Sequence, residues 1–167
     1  MTAFAAASLG EGALQQPRGK TMWTKEGRIA VHKMCTMQET NADIFIGLLK
    51  TIDSTPDADQ NFAGLGTHMV ECNFPGYGQI ANPSWTAPTI NGSDQAEGQS
   101  SLLTWTASSG SPLPQTIVAV FVIIEMASGA HYLSWLKRIS PTVTIGAPGE
   151  QYQIFIDLFA DDISALD

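Results

Sequence analysis

The order of short β-prone segments along the chain is the feature that most limits its fold. Downstream of Thr40, runs rich in Val, Ile, Thr and aromatic residues are separated by clusters of Gly, Pro, Asn and Ser. Runs bounded by such turn residues are typical of antiparallel strands. Predicted strands cover residues 43–49, 67–74, 79–90, 100–106, 116–126, 130–139, 142–145 and 151–159. This pattern predicts a mainly β domain, either an antiparallel β-sandwich or a jelly-roll-like fold.

One of these segments lacks polar alternation. The stretch from Ile117 to Ile124 is apolar throughout and stops at Glu125. A strand of this kind is covered on both faces, either by a second sheet and a helix or by a neighbouring subunit. The turn residues Ala127-Ser128-Gly129 follow it, and they predict a hairpin to the next β-prone run.

The N-terminal part of the chain follows a different pattern. Residues 1–22 are rich in Ala, Gly and Gln and lack periodic apolar positions, so they cannot bury enough surface to fold alone. We predict an extended arm over residues 1–22 and a body over residues 23–167. Apolar positions at helical spacing predict one helix over residues 24–39, although Gly27 weakens it.

Charge is distributed unevenly between the two ends of the chain. Residues 1–50 contain six Lys and Arg against four Asp and Glu, whereas residues 51–167 contain two against twelve. An acidic body repels polyanions, so we expect no nucleic-acid partner. The apolar runs are much shorter than the roughly 20 residues of a membrane helix, so we expect no membrane partner either. Protein surfaces are the expected partners.

No pattern of catalytic or metal-binding residues is recognisable. The three histidines, His32, His68 and His131, have no ligand spacing, and the chain has no His-x-x-x-His, Gly-x-Ser-x-Gly or Cys-x-x-Cys sequence. The two cysteines, Cys35 and Cys72, are expected to be buried free thiols. We therefore predict no enzymatic activity, no metal and no cofactor.

The order of features from Ile44 to the C-terminus resembles that of small structural proteins of tailed-bacteriophage virions, encoded among the head genes. An apolar strand leads to Asp53-Ser54-Thr55-Pro56-Asp57, and a later strand ends in Phe74-Pro75-Gly76-Tyr77. A Trp-containing strand, a Gly/Ser turn, the Ile117–Ile124 strand and Tyr132-Leu133-Ser134-Trp135 follow. The resemblance implies a structural role and transfers no catalytic residues.

On this basis we expect a capsid decoration, or cement, protein. It would be assembled in the host cytoplasm, lie on the capsid surface of the virion, and bind major capsid protein subunits and itself, as a homodimer or homotrimer. The residues expected to make these contacts lie where the arm meets the body and on the apolar strand. They are Met22, Trp23, Ile117, Val118, Phe121 and Ile123.

Two other functions are compatible with the sequence. A tail-tip or fibre-associated protein could bind a host-surface glycan through a platform of tryptophans, for which the chain offers Trp23, Trp85, Trp105 and Trp135. A small hydrolase is the other alternative, although the acid and base residues for it are missing. The Phe74-Pro75-Gly76-Tyr77 corner is interpreted as a structural turn with a positive φ at Gly76.

Overall fold

The computed structural model describes residues 22–52, 61–90 and 96–159, and these ranges form a mainly β, antiparallel fold with one N-terminal helix, as predicted. The helix α1 spans Lys25–Cys35. The strands are β1 Met22–Trp23, β2 Asn41–Ile52, β3 Met69–Glu71, β4 Ile80–Ala81, β5 Thr89–Ile90, β6 Ala96–Gln99, β7 Leu103–Thr106, β8 Gln115–Met126, β9 His131–Ile145, β10 Gln151–Ile154 and β11 Asp157–Phe159.

The largest sheet has the strand order β1-β9-β8-β2-β3, and β4 also pairs with β2. The predicted hairpin between β8 and β9 is confirmed: Gly129 has a φ of +82°, and its N–H bonds the carbonyl of Met126 at 2.8 Å. Strand β9 continues through Pro141, so it joins the two strands predicted at 130–139 and 142–145. The predicted strand at 79–90 is instead two short strands, β4 and β5.

Two long paired segments form most of the second layer, and β5 pairs with β6 beside them. Strand β10 pairs with β7, and β11 pairs with β6, in the same antiparallel direction. Between these pairs, the N–H of Ser100 bonds the carbonyl of Ile156 at 2.9 Å, and the N–H of Ile156 bonds the Ser100 hydroxyl at 2.9 Å. Residues 96–106 and 151–159 are therefore continuous, and we call them the ribbon.

The main core lies between the ribbon and one face of the large sheet. The ribbon contributes Leu103, Trp105, Tyr152, Ile154 and Ile156, and the large sheet contributes Ile46, Leu48, Ile117, Val120, Val122 and Trp135. The arrangement is a sandwich of two antiparallel layers. A second cluster includes Leu49, Ala119, Phe121, Ile123, Leu133 and Leu136, with Phe62 and Leu65 packed against it. Strand β8 is thus covered on both faces by the chain itself.

The helix is shorter than the predicted 24–39, because the chain turns at Met37, where φ is +55°. It begins at Thr24, whose hydroxyl accepts a bond from the N–H of Gly27 at 2.9 Å and donates to the carbonyl of Leu133. A Cβ on Gly27 would overlap the backbone of Ser134. The glycine that lowers helix propensity is therefore required for the close contact between α1 and β9.

Part of the predicted arm, residues 1–21, lies outside the described residues. The described body begins one residue earlier than predicted, because Met22 already belongs to β1 and pairs with Leu136 of β9. The Asp53-Ser54-Thr55-Pro56-Asp57 segment also lies outside the described ranges. Within those ranges, no helix has the length and apolar character needed to cross a membrane.

Candidate interaction surface

The apolar strand does not supply the contact surface expected of it. Ile117 and Phe121 have no exposed area, and Ile123 is 2% exposed. Val118 is partly buried against the second cluster. Because the chain covers these side chains itself, the expected intermolecular contact through Ile117, Phe121 and Ile123 is corrected to a role in the core.

The remaining two predicted contact residues lie at the edge of the large sheet. Met22 and Trp23 form β1, and their backbone pairs with Leu136 and Trp135 of β9. This pairing connects the start of the body to the hairpin strand. Their role in intermolecular contact stays a prediction.

Trp85, Trp105 and Trp135, the tryptophans whose side chains the structure describes, do not form an exposed platform. Trp105 and Trp135 are each 2% exposed and belong to the main core. The indole N–H of Trp105 bonds the carbonyl of Gly78 at 2.9 Å, which fixes the ring inside the sandwich. Trp85 is partly buried against the same core. A glycan site built on Trp105 and Trp135 would have no accessible ring faces.

The histidines lie on separate elements. His32 is exposed on α1, and His131 stacks on Phe62 with ring centroids 5.1 Å apart. The Nε2 atom of His131 is 3.7 Å from a carboxylate oxygen of Glu125. Among residues 22–52, 61–90 and 96–159, no three His, Cys, Asp or Glu side chains are grouped so that they could hold a metal ion.

A shallow open groove lies beside β3, and polar side chains in it bond within the fold, as Lys50 does to Asn73 at 2.7 Å. The Tyr77 hydroxyl donates to a carboxylate oxygen of Glu71 at 2.5 Å and accepts the N–H of Leu48 at 2.9 Å. Burial, followed by the bond to Glu71, raises the pKa of Tyr77 far above its usual range. Burial likewise raises the pKa of the Cys72 thiol to about 12, so this thiol is protonated and unreactive at neutral pH.

The outer face of the ribbon is an exposed surface built by regular structure. Successive side chains of a strand point to opposite faces, so the buried Tyr152 and Ile154 alternate with exposed neighbours. Those outward residues include three cross-strand pairs. The pairs are Thr106 with Gln151, Thr104 with Gln153, and Gln99 with Asp157.

Each of the three pairs is fixed by a side-chain hydrogen bond. Gln151 donates to the hydroxyl of Thr106 at 3.1 Å, and Gln153 donates to the hydroxyl of Thr104 at 3.2 Å. At the other end, the amide of Gln99 donates to Asp157 at 2.7 Å. These bonds hold the long amide side chains along the sheet, so the face is flat and partly ordered before any contact is made.

The outward residues between these pairs are apolar and exposed. Leu102 is 46% exposed and Phe155 is 47% exposed, and they lie between the Thr104–Gln153 and Gln99–Asp157 pairs. An apolar centre bordered by polar groups, of which only Asp157 is charged, has the composition of a protein contact surface, where charged residues are depleted in the middle. We call the outward residues Gln99, Leu102, Thr104, Thr106, Gln151, Gln153, Phe155 and Asp157 the ribbon face.

Sequence reasoning placed strands here but missed this surface. The alternation in Gln151-Tyr152-Gln153-Ile154-Phe155-Ile156 does indicate one apolar and one mixed face. What the sequence does not show is that Leu102 and Phe155 lie between the same two cross-strand pairs, because this depends on the pairing of two segments about fifty residues apart.

A second exposed face has the opposite chemistry. Lys25, Arg28 and His32 are exposed on α1 at spacings of three and four residues, with Ile29 half exposed between them. The buried side of the helix, Ala30 and Met34, packs on Ile124, Met126 and Tyr132. The helix therefore presents a basic face, although the body as a whole is acidic.

No protein-family model, no curated protein and no solved structure matches the chain. The surfaces are interpreted below from their own chemistry, together with the order of sequence features described at the outset.

Proposed function

We propose that the protein is a non-enzymatic structural protein of a tailed-bacteriophage virion, which decorates the capsid by binding major capsid protein subunits and by associating with itself. The observation that carries the proposal is the presence of two exposed faces of different chemistry on one small body. One is the basic face of α1, and the other is the nearly uncharged ribbon face. A protein with two kinds of protein neighbours needs two such surfaces.

The basic face is the one assigned to the capsid. It follows the N-terminal segment directly, so an arm over residues 1–22 and the helix would reach the same region of a capsid subunit. Its side chains carry positive charge in a chain whose net charge is −8. An acidic patch on the assembled capsid would attract this face while repelling the rest of the body, which fixes the orientation of docking.

The mechanism of stabilisation is preferential binding. A protein that binds the assembled shell and not its free subunits stabilises the shell by mass action, without any chemical step. Contacts of modest strength are sufficient when several are joined through an oligomer, because linked contacts add avidity.

The test is co-sedimentation of the purified full-length chain with phage heads that lack it. We expect binding to assembled heads and not to unassembled capsid protein. Arg28→Glu, on the basic face, is expected to weaken binding to heads by at least about tenfold. Added salt should weaken the binding of the wild type more than that of the variant. The matched control is Arg138→Glu, which makes the same charge reversal on β9. Equal binding by wild type and Arg28→Glu would reject the assigned face, and no binding to heads would reject the function.

A further inference from the structure

We infer that the ribbon face is the self-association surface, and that its occupant is the ribbon face of a second copy, paired about a two-fold axis that passes through the exposed apolar patch of Leu102 and Phe155. This inference rests on the self-association in the proposed function and names the surface that performs it. The ribbon face takes the self-association role that was expected of residues in strand β8, whose apolar side chains are covered within the chain.

Charge limits which faces of two copies can meet in a two-fold dimer, where the same face of each copy is in contact. Two copies with a net charge of −8 repel one another over most of their surfaces, and two basic helix faces would also repel. The ribbon face carries one charged side chain, Asp157, and its carboxylate accepts a bond from Gln99. Pairing of like faces is therefore compatible with the charge of the protein at the ribbon face.

The two-fold arrangement also separates the two aspartates. Asp157 is two residues beyond Phe155, about 6.6 Å along the strand at 3.3 Å per residue. A two-fold axis through the patch of Leu102 and Phe155 places Asp157 of the second copy the same distance on the other side of the axis. The two carboxylates are therefore about 13 Å apart. This exceeds the Debye length of about 8 Å at physiological salt, so their repulsion is largely screened.

The size of the face sets the strength of the dimer. The face spans eight residues on one strand and seven on the other, so at about 3.3 Å per residue it is a patch of roughly 25 by 10 Å, or on the order of 250 Å² per copy. A standard interface buries about 800 Å² per partner. The dimer is therefore expected to be weak, with a dissociation constant in the micromolar range or above, and the exposed aromatic should dominate it.

Sedimentation velocity of the full-length protein over a concentration series, without capsids, tests the inference. We expect a reversible monomer–dimer equilibrium. Phe155→Glu should raise the dissociation constant by at least about tenfold, because it places two carboxylates at the centre of the pair. The matched control is Met37→Glu, since Met37 is 92% exposed and lies outside the ribbon face. This control should leave the equilibrium unchanged.

A charge-swap experiment makes the test specific to the two-fold pairing. Phe155→Lys alone is expected to be monomeric, and an equimolar mixture with Phe155→Glu should recover a dimer, because opposite charges then meet at the axis. If either variant fails to fold, the pair Gln153→Lys and Gln153→Glu replaces both, because Gln153 is exposed on the outer face. Thermal melting of each variant checks folding.

The outcomes separate this inference from the proposed function. A monomeric wild type at hundreds of micromolar, a trimer, or equal loss of association in Met37→Glu would overturn the pairing. Capsid binding measured on the same variants is a separate readout. A Phe155→Glu variant that is monomeric and still binds heads, with reduced avidity, supports both the pairing and the proposed function. A wild-type protein that dimerises but does not bind heads supports the pairing alone.

Discussion

Gly76 lies directly against the carbonyl oxygen of Thr106: a Cβ at position 76 would be 2.5 Å from that oxygen. The φ at Gly76 is +86°, which confirms the expected left-handed conformation of this corner. The carbonyl of Pro75 accepts the N–H of Ser108 at 2.8 Å. The corner therefore ties the segment after β3 to the end of β7, across the two layers of the sandwich.

Gly76→Ala is expected to destabilise the fold by about 3 kcal/mol, because conformational strain and overlap with a backbone atom act together. Gly129→Ala introduces strain without overlap, since φ is +82° and no atom lies within 4 Å of the added Cβ; it should cost about 1 kcal/mol. Gly78→Ala introduces neither and should change stability by less than about 0.5 kcal/mol. Urea denaturation measures all three, and equal effects would contradict the packing argument.

The Tyr77 hydroxyl completes the hydrogen bonding at one edge of β2. Strand β3 pairs with Leu49–Ile52 and β4 pairs with Phe45 and Ile46, which leaves the N–H of Leu48 between them. That N–H donates to Tyr77 at 2.9 Å. Tyr77→Phe removes its acceptor, and an unsatisfied buried donor costs about 1–3 kcal/mol.

The matched control for this variant is Tyr132→Phe. The Tyr132 hydroxyl accepts a bond from Lys33 at 2.9 Å, but Lys33 also bonds Glu39 and reaches solvent. Its loss should cost less than about 1 kcal/mol. If chemical denaturation shows Tyr132→Phe to be as destabilising as Tyr77→Phe, then the Leu48 N–H is not the group that matters.

Thr24 is expected to be the most sensitive polar position of the helix. Its hydroxyl caps α1 through the N–H of Gly27 and also donates to the carbonyl of Leu133. Thr24→Val keeps the shape and removes both bonds, so it should destabilise the protein by about 2 kcal/mol. Thr24→Ser retains the hydroxyl and should cost much less. A melting temperature for Thr24→Val equal to that of Thr24→Ser would show that the cap contributes little.

The sequence predicts the elements whose signals are local. The hairpin follows from two β-prone runs around Ala127-Ser128-Gly129, and the helix from apolar spacing after Thr24. The apolar run of β8 correctly predicts burial on both faces. It cannot tell whether the cover is another subunit or the same chain, because the cover comes from residues distant in sequence, including Leu49, Trp105 and Phe62.

The candidate surface depends still more on long-range pairing. Phe155 and Leu102 are unremarkable apolar residues in the sequence, and each would be assigned to a core by composition alone. They are exposed because the register between β7 and β10 directs Leu103 and Ile154 inward. A contact surface of this kind is defined by register, which propensity does not specify.

The alkaline stability of the protein should reveal the burial of Cys72. Burial raises the pKa of this thiol from 9.0 to about 12, so between these values the unfolded chain loses the thiol proton and the folded chain keeps it. The contribution of this thiol to the free energy of unfolding is fully present below its pKa in the unfolded chain. Above that pKa the contribution falls by about 1.4 kcal/mol per pH unit. Above about pH 10 the buried hydroxyls of Tyr77 and Tyr152, whose pKa values are also raised, add to the loss.

The contribution of Cys72 can be isolated with Cys72→Ala in a Cys35→Ser background. At pH 7 the alanine variant should be less stable, because it leaves a small cavity in the core. Between pH 9 and 10.5 its stability should fall less steeply than that of the Cys35→Ser parent, because no thiol ionises, so the difference between the two free energies of unfolding should shrink by about 1.4 kcal/mol per pH unit. Urea denaturation at half-unit steps measures the difference. Parallel curves over this range would mean that the Cys72 thiol is accessible to water in the folded protein.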